Sequence, residues 1–420
     1  MVNRRRIAGA LLGLAFGTAL RMGDAQTTDL DLLIKGGHVI DAKNAINRVL
    51  DVGIRQGKIA RIDDDIPERD ARQIVQARGL YVIPGLVDIH AHVYYGTDPD
   101  AFFGNGMTAV PPDGFTFRSG VTTIVDAGGS GWRTFNHFKR QVIDHSRTRV
   151  LALLNIVGSG MKGTVMEQDL SDMDSNLTAM QVLAYPQWIV GIKTAHYQGP
   201  EWDPVDRAVA AGKIAHVPVM VDFGAFLPER PFQELVLKHL RPGDIYTHMF
   251  RGLVPMLDPN AKVLPYLFEA RKRGIIFDVG HGNSSFVFRQ AVPAVRQGLV
   301  PDSISSDLHT TSMIRGMKDM LNVMSKFLNL GMALSDVVLR STWNPAQEIK
   351  RRDLGHLDVG GVADLAVLSL RKGEFGFIDG DGGKMRGTVK LECELTVSDG
   401  RVVWDLNGIA AQPWEKLPAH

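Results

Sequence analysis

The sequence predicts an α/β chain: a (β/α)8 barrel of the TIM type joined to a small β-sandwich domain built from both chain ends. Three observations predict it. Between residues 83 and 352, eight short β-like runs alternate with helix-like stretches. On either side, residues 26–82 and 353–410 share another texture, brief β runs punctuated by glycine. Finally, ionisable residues gather at the C-terminal ends of six of the eight runs, the end at which such barrels carry their sites.

The elements follow in chain order. Asn3-Arg4-Arg5-Arg6 is a basic stretch, and Ile7 to Leu20 is an apolar run too short to span a bilayer. Gly23 and Ala25 are small residues placed for a cut ahead of Gln26. Residues 1–25 therefore read as a signal peptide, and the mature protein is expected to be exported, periplasmic or secreted. The adjacent arginines also fit a twin-arginine signal, and an uncleaved anchor is the alternative. Leu32–Ile34 leads through Gly36-Gly37 to His38–Ile40, and Asp51–Ile54 through Gln56-Gly57-Lys58 to Ile59–Ile62, both hairpin signals. The barrel runs are Val82–His90, Thr122–Val125, Val150–Ile156, Ile189–Lys193, Pro218–Asp222, Asp244–His248, Ile275–Val279 and Ser303–Asp307. Met313, Met317, Met320 and Met324 recur at helical spacing and read as the core stripe of one helix. After residue 353 the β texture returns in Leu365–Leu368, Leu391–Val397 and Arg401–Trp404, leaving 411–420 as a tail.

Composition narrows the chemistry. The net charge of +1 gives no argument for nucleic acid or an anionic membrane, so the expected partner is a small-molecule substrate, with homo-oligomer formation left open. The single cysteine, Cys393, excludes an intrachain disulfide and a cysteine-based zinc site. A metal would have to rest on histidine, carboxylate or a modified lysine.

Such residues are present in one register. The segment Ile83-Pro84-Gly85-Leu86-Val87-Asp88-Ile89-His90-Ala91-His92 ends the first run with two imidazoles on one face, able to bind one ion in cis. The fourth run ends in Lys193, the fifth in Asp222, the sixth in His248 and the eighth in Asp307, and His281 follows the seventh. A lysine at the inner end of a barrel strand is disfavoured as a cation by desolvation. As a free amine it can take up carbon dioxide and become an anionic, two-oxygen ligand.

His90, His92, Lys193, His248 and Asp307 together resemble the amidohydrolase superfamily. Gly243–His248, Asp278–Gly282, Ser305–His309 and Ser341–Ala346 resemble its deacetylase-like, dihydroorotase-related branch. The resemblance spans nearly the whole mature chain. It implies one or two divalent ions, zinc above all: His90, His92 and Asp307 hold one, a fifth-strand histidine and His248 hold the other, and Lys193, as N6-carboxylysine, bridges them. It further implies attack by a metal-bridging hydroxide, with Asp307 moving the proton.

One position departs from that pattern, because Asp222 stands where the branch has histidine. Either Asp222 ligates the second ion through oxygen, which zinc accepts, or the second site is weakened. His281, on a donor-rich loop, is a candidate to orient substrate or stabilise the oxyanion. His196, Tyr197, Tyr94, Tyr95, Asn155 and Asn283 are candidates for the pocket wall, and Arg251 and Arg289 for an anionic substrate group. The expected reaction is hydrolysis of amide or ester bonds in small acylated compounds such as N-acyl amino acids. The alternatives are a dipeptidase of the Xaa-Pro type, a cyclic-amide hydrolase, and a non-catalytic barrel that only binds.

Overall fold

The structure, a computed structural model, describes residues 29–96, 108–161, 165–224 and 226–417. The signal peptide expected over residues 1–25 lies outside the described residues.

The chain first builds a β-domain: β1 (Leu30–Asp41), β2 (Ile46–Arg55), β3 (Lys58–Asp63), β4 (Ala71–Gln76) and β5 (Tyr81–Pro84). A parallel sheet follows with β6 (Leu86–Ala91), β7 (Val121–Gly131), β8 (Arg149–Asn155), β9 (Ile189–Ala195), β10 (Val219–Asp222), β11 (Ile245–Tyr246) and β12 (Ile276–Phe277). Returning to the first domain, the chain adds β13 (Leu365–Ile378), β14 (Lys384–Ser398) and β15 (Arg401–Asp405). Strands from both chain ends thus share one sheet. It is one mixed sheet, ordered β15-β14-β13-β5-β1-β2-β3 with β4 on β1, in place of the two sheets of a sandwich. The sheet curls so that β3 reaches the chain just before β13: Ile59 N–H donates to Gly361 O at 3.0 Å, and the turn at Gly57 lies against that at Gly400. Its inner face, with Val39, Val52, Ile54, Val367, Leu395 and Val397, makes a separate core.

The expected strand Val82–His90 is two strands. β5 belongs to the β-domain, pairing with β1 and β13, and β6 opens the parallel sheet. The break falls at Gly85, where a side chain would collide with Thr122, 2.2 Å from its Oγ1. Proline before it supplies no ladder donor, so the chain changes sheets here.

The parallel strands follow one another in order from β6 to β12. Alternation places Val87, Ile89, Val125, Ala127, Leu151 and Leu153 in one inner core, while Leu86, Ile124, Ala152, Leu154 and Ile192 face the surrounding helices. A register shift between Asp88 and Ala91 ends this regularity beyond Ile89, and His90, next in the chain, joins the site.

The eighth run, Ser303–Asp307, is not a regular strand. It makes single parallel bridges on both sides, Ser303 to Asp278 and Leu308 to Ala91. Carboxylates supplement the ladder. Asp88 accepts from Ser306 N at 3.0 Å, and Asp278 accepts from Ser303 Oγ at 2.9 Å and Ser305 Oγ at 2.6 Å. Asp88 of the opening motif therefore serves the fold and not the site.

The methionine stripe also divides. Met313 lies on the helix Thr310–Ile314, whereas Met320 and Met324 lie on Met320–Asn329, with Met317 in the turn between. Met317, Met320 and Met324 are core residues as expected. The second helix packs beneath the β13–β14 hairpin, which is longer than the sequence texture suggests. Leu391 N donates to Ser325 Oγ at 2.9 Å, and Asn329 Nδ2 to Val389 O at 2.8 Å. At the hairpin tip Asp379 accepts from Phe288 N at 2.9 Å, so the β-domain braces the loop after β12. No helix among the described residues is long and apolar enough to cross a membrane.

Candidate metal centre

The strand ends bring His90, His92, Lys193, Asp222, His248 and Asp307 together. Asp307 Oδ1 lies 3.1 Å from His92 Nε2 and 3.6 Å from His90 Nε2, and these three residues offer ligand atoms all within 4.8 Å of one another. On the other side, Asp222 Oδ2 lies 3.1 Å from His248 Nε2 and 4.0 Å from Lys193 Nζ. Lys193 Nζ lies 3.4 Å from His90 Nε2, between the two groups. His248 Nε2 and Asp307 Oδ2 are 3.9 Å apart, which closes the ring.

Outer partners orient the ligand candidates. Thr247 Oγ1 donates to Asp278 at 2.7 Å and so accepts from His90 Nδ1 at 2.9 Å, which turns the Nε2 lone pair inward. His248 Nδ1 donates to Gly280 O at 2.5 Å with the same result. Burial, aided by Lys193, holds the His90 imidazole well below its ordinary pKa, hence neutral. Burial also lowers Lys193 toward the free amine, against the pull of Asp222 and Asp307. Burial pushes the Asp307 carboxyl upward, but His309 beside it and the hydrogen bond with His92 outweigh burial and keep the group ionised. Buried Asp222 Oδ1 accepts no hydrogen bond. Imidazole nitrogens, ionised carboxylates and an orphaned carboxylate oxygen form a donor set that fits a divalent cation.

The backbone is bent to achieve this. His196, His248 and Asp307 adopt positive φ of 55°, 61° and 53°, a region most side chains avoid. Gly280, with φ of 44°, has its missing side chain replaced by the site itself: a Cβ would lie 2.2 Å from Thr247 Oγ1, 2.7 Å from His248 Nδ1 and 3.0 Å from His90 Nδ1. Gly280→Ala is therefore expected to lower stability by about 1–3 kcal/mol and to weaken metal binding together with it. Thermal unfolding and zinc titration of the variant check this; unchanged zinc affinity would mean that the three groups yield without disturbing the ligands.

A cavity of about 690 Å³ opens above the cluster. His196, Tyr197, Asn283 and Arg251 line it. Five candidates do not reach it: Tyr95, which packs against the main core, Arg289 and the three that follow. Tyr94 is buried in the core with its hydroxyl 3.1 Å from His137 Nδ1, because the chain turns inward after His92. Asn155 is buried at the end of β8, donating to Gly128 O at 3.1 Å and accepting from Val157 N at 3.0 Å, so its polar atoms serve the backbone. His281 is fully buried, stacked on Phe286 at 4.6 Å, with Nδ1 donating to Gly282 O at 3.0 Å and Nε2 2.5 Å from Lys326 Nζ. Both ring nitrogens are engaged away from the cavity, so His281 shapes the loop whose Asn283 and Ser284 form the wall. Lys326, its buried partner, is pulled down to about 7 by desolvation. Arg289 turns to the surface and pairs with Asp381.

The cavity holds residues the sequence reading missed. His309 Nε2 lies 3.6 Å from Asp307 Oδ2; its spacing from Asp307 repeats that of His92 from His90, a signal that could have found it. Buried Glu167 accepts from His196 Nδ1 at 3.0 Å, and Arg230 lies 4.0 Å over the Phe223 ring. Both come from loops with no strand register to mark them.

No protein-family model matches the chain. A deacetylase from Agrobacterium fabrum is 35% identical over 334 residues, which cover 78% of this chain and 79% of that protein. A deacetylase from Enterococcus faecalis is 27% identical across 84% of this chain and 94% of its own length. Among solved structures, a dihydroorotase at 30% identity superimposes with a TM-score of 0.77, covering 89% of this chain and 99% of that one. An adenine deaminase at 26% identity superimposes with a TM-score of 0.81 over 90% of this chain and all of that one.

Proposed function

Because the chain belongs to the amidohydrolase superfamily, alongside its deacetylases, we propose that it is an exported metal-dependent hydrolase of amide or ester bonds in small acylated compounds such as N-acyl amino acids. Its relatives named deacetylase, dihydroorotase and adenine deaminase are hydrolases acting on carbon–nitrogen bonds, and this chain is an enzyme of that kind. The single observation that carries the reading is the ring of donors from His90 and His92 through Asp307, His248 and Asp222 to Lys193 beneath an open cavity. A closed (β/α)8 barrel completes the proposal, with residues 303–308 as eighth strand; the parallel bridges on both sides of that segment support it. Export rests on the basic and apolar pattern of residues 1–25.

His90, His92 and Asp307 would hold one divalent ion, zinc above all, and Asp222, His248 and carboxylated Lys193 a second. When bound, such ions make water a ready nucleophile near neutral pH and polarise a carbonyl. The chain's own residues do the rest. Asp307, ionised and at the cavity floor, accepts the proton of the attacking water at a carboxylate oxygen and returns it to the leaving nitrogen or oxygen. His309, 3.6 Å from that carboxylate, holds it in place. Arg251, with Asn283 and Ser284, lines the cavity and orients the remainder of the substrate.

The test is a panel of N-acetyl and N-formyl D- and L-amino acids, dipeptides, cyclic amides and acyl esters, with and without a chelator. Turnover of acylated compounds that a chelator removes and zinc restores is expected. Indifference of all turnover to chelation, or no turnover across the panel, counts against the proposal.

A further inference from the structure

We infer that His196 is a ligand of the second metal ion and takes the place of the histidine missing from the end of β10. The inference rests on the metal-dependent reading above and adds a residue to it. In the resemblance the fifth strand supplies an imidazole to the second ion, and here Asp222 stands at that point. The structure brings an imidazole to the same spot from the neighbouring strand. His196 follows the last residue of β9, Ala195, which pairs with Asp222, and its backbone N–H donates to Asp222 O at 2.9 Å. That bond and its positive φ swing the ring over the strand end, leaving Nε2 3.4 Å from Asp222 Oδ2.

The ring is also held in the way a ligand is held. Metal-binding histidines commonly give their second nitrogen to a carboxylate or carbonyl, which fixes the tautomer. His90 does so through Thr247 to Asp278, and His248 does so to Gly280 O. His196 does so through Nδ1 to Glu167, a carboxylate buried on the cavity wall. Nε2 is thereby left facing Asp222, 3.4 Å away, a long separation for a charge-assisted hydrogen bond, which falls near 2.7–2.9 Å. The other Asp222 oxygen, Oδ1, is buried and accepts nothing. Asp222 Oδ2 thus has His196 Nε2 and His248 Nε2 within 3.4 Å, and two imidazoles and a carboxylate aimed at one point form a donor set that a cation can occupy in place of the proton His196 shares with Asp222 and Glu167. Histidine has moved from one strand to the next, and aspartate adds a negative charge to the site in exchange.

Zinc-edge anomalous diffraction from the zinc-loaded protein tests this directly. The expected map has a second ion bonded to His196 Nε2 at ~2.0–2.1 Å, together with His248 and Asp222. In solution, equilibrium competition with a chromophoric chelator should find two zinc equivalents in the unaltered protein. His196→Ala should keep the first equivalent, which also reports that it is folded, and weaken the second by more than about 100-fold, beyond the loss produced by an outer partner. His196→Ala combined with Asp222→His should restore the second. Two equivalents of unchanged affinity in His196→Ala, or a second ion that does not touch His196, overturns the inference. A single ion at His90, His92 and Asp307 also overturns it while leaving the hydrolase reading intact. Absence of any zinc binding overturns both.

Discussion

Asp307→Asn is expected to retain zinc and lose about 10²–10⁴-fold in kcat, the range supplied by a positioned general base. The substitution preserves shape and one oxygen ligand but removes the group that can take a proton. The structure gives the carboxylate this task by two opposed effects. Burial alone would raise its pKa and leave it protonated and useless as a base; His309 and the hydrogen bond with His92 outweigh burial and hold it ionised. Oδ1 faces His92 and His90 while Oδ2 faces His309 and His248, so the carboxylate stands between the two halves of the site. Zinc content measured beside kcat separates the roles. Activity like that of the unaltered protein, with zinc retained, would remove Asp307 from proton transfer.

Lys193→Ala should abolish turnover by more than about 10³-fold, since several kcal/mol of metal-derived stabilisation would go with the bridge. The side chain is entirely buried. Its amine stands 3.4 Å from the His90 imidazole and 4.0 Å from the Asp222 carboxylate, a poor place for a cation. A carbamate formed on that amine would supply the negative charge that two neighbouring ions require. Two results are expected beyond the loss itself. Short carboxylic acids added to the variant should restore part of the activity by occupying the vacated space. Apoprotein reconstituted with zinc should recover faster when bicarbonate is present. Reconstitution indifferent to bicarbonate, together with no rescue, would leave Lys193 as an uncarboxylated buried amine.

Much of this arrangement was legible in the chain. His90, His92, Lys193, Asp222, His248 and Asp307 were found because each ends a β run, and strand ends in a parallel sheet come to one face whatever the loops do. Of the candidates that failed, His281, Tyr94 and Asn155 lie at or just beyond strand ends. There the side-chain direction depends on which way the chain turns, and nothing local encodes that. Asn155 is captured by backbone groups of its neighbours, and His281 by Lys326 from a helix 45 residues away.

The sequence by itself determined the order of strands, the division into a barrel-like middle and a β-domain of two chain ends, and the chemistry at the strand ends. Each of these follows from a period of two or from residue type, properties that neighbours along the chain express together. Only the tertiary structure decided the rest. It made the eighth run an irregular bridge held by Asp88 and Asp278, split the first strand at Gly85, and brought Glu167 and His309 to the cavity. It also placed His196 beside Asp222. These depend on contacts between segments far apart in sequence, whose spacing is set by packing and closure and not by any local pattern. The two histidines at 90 and 92 were visible as a pair from the outset; what they face was decided by the fold.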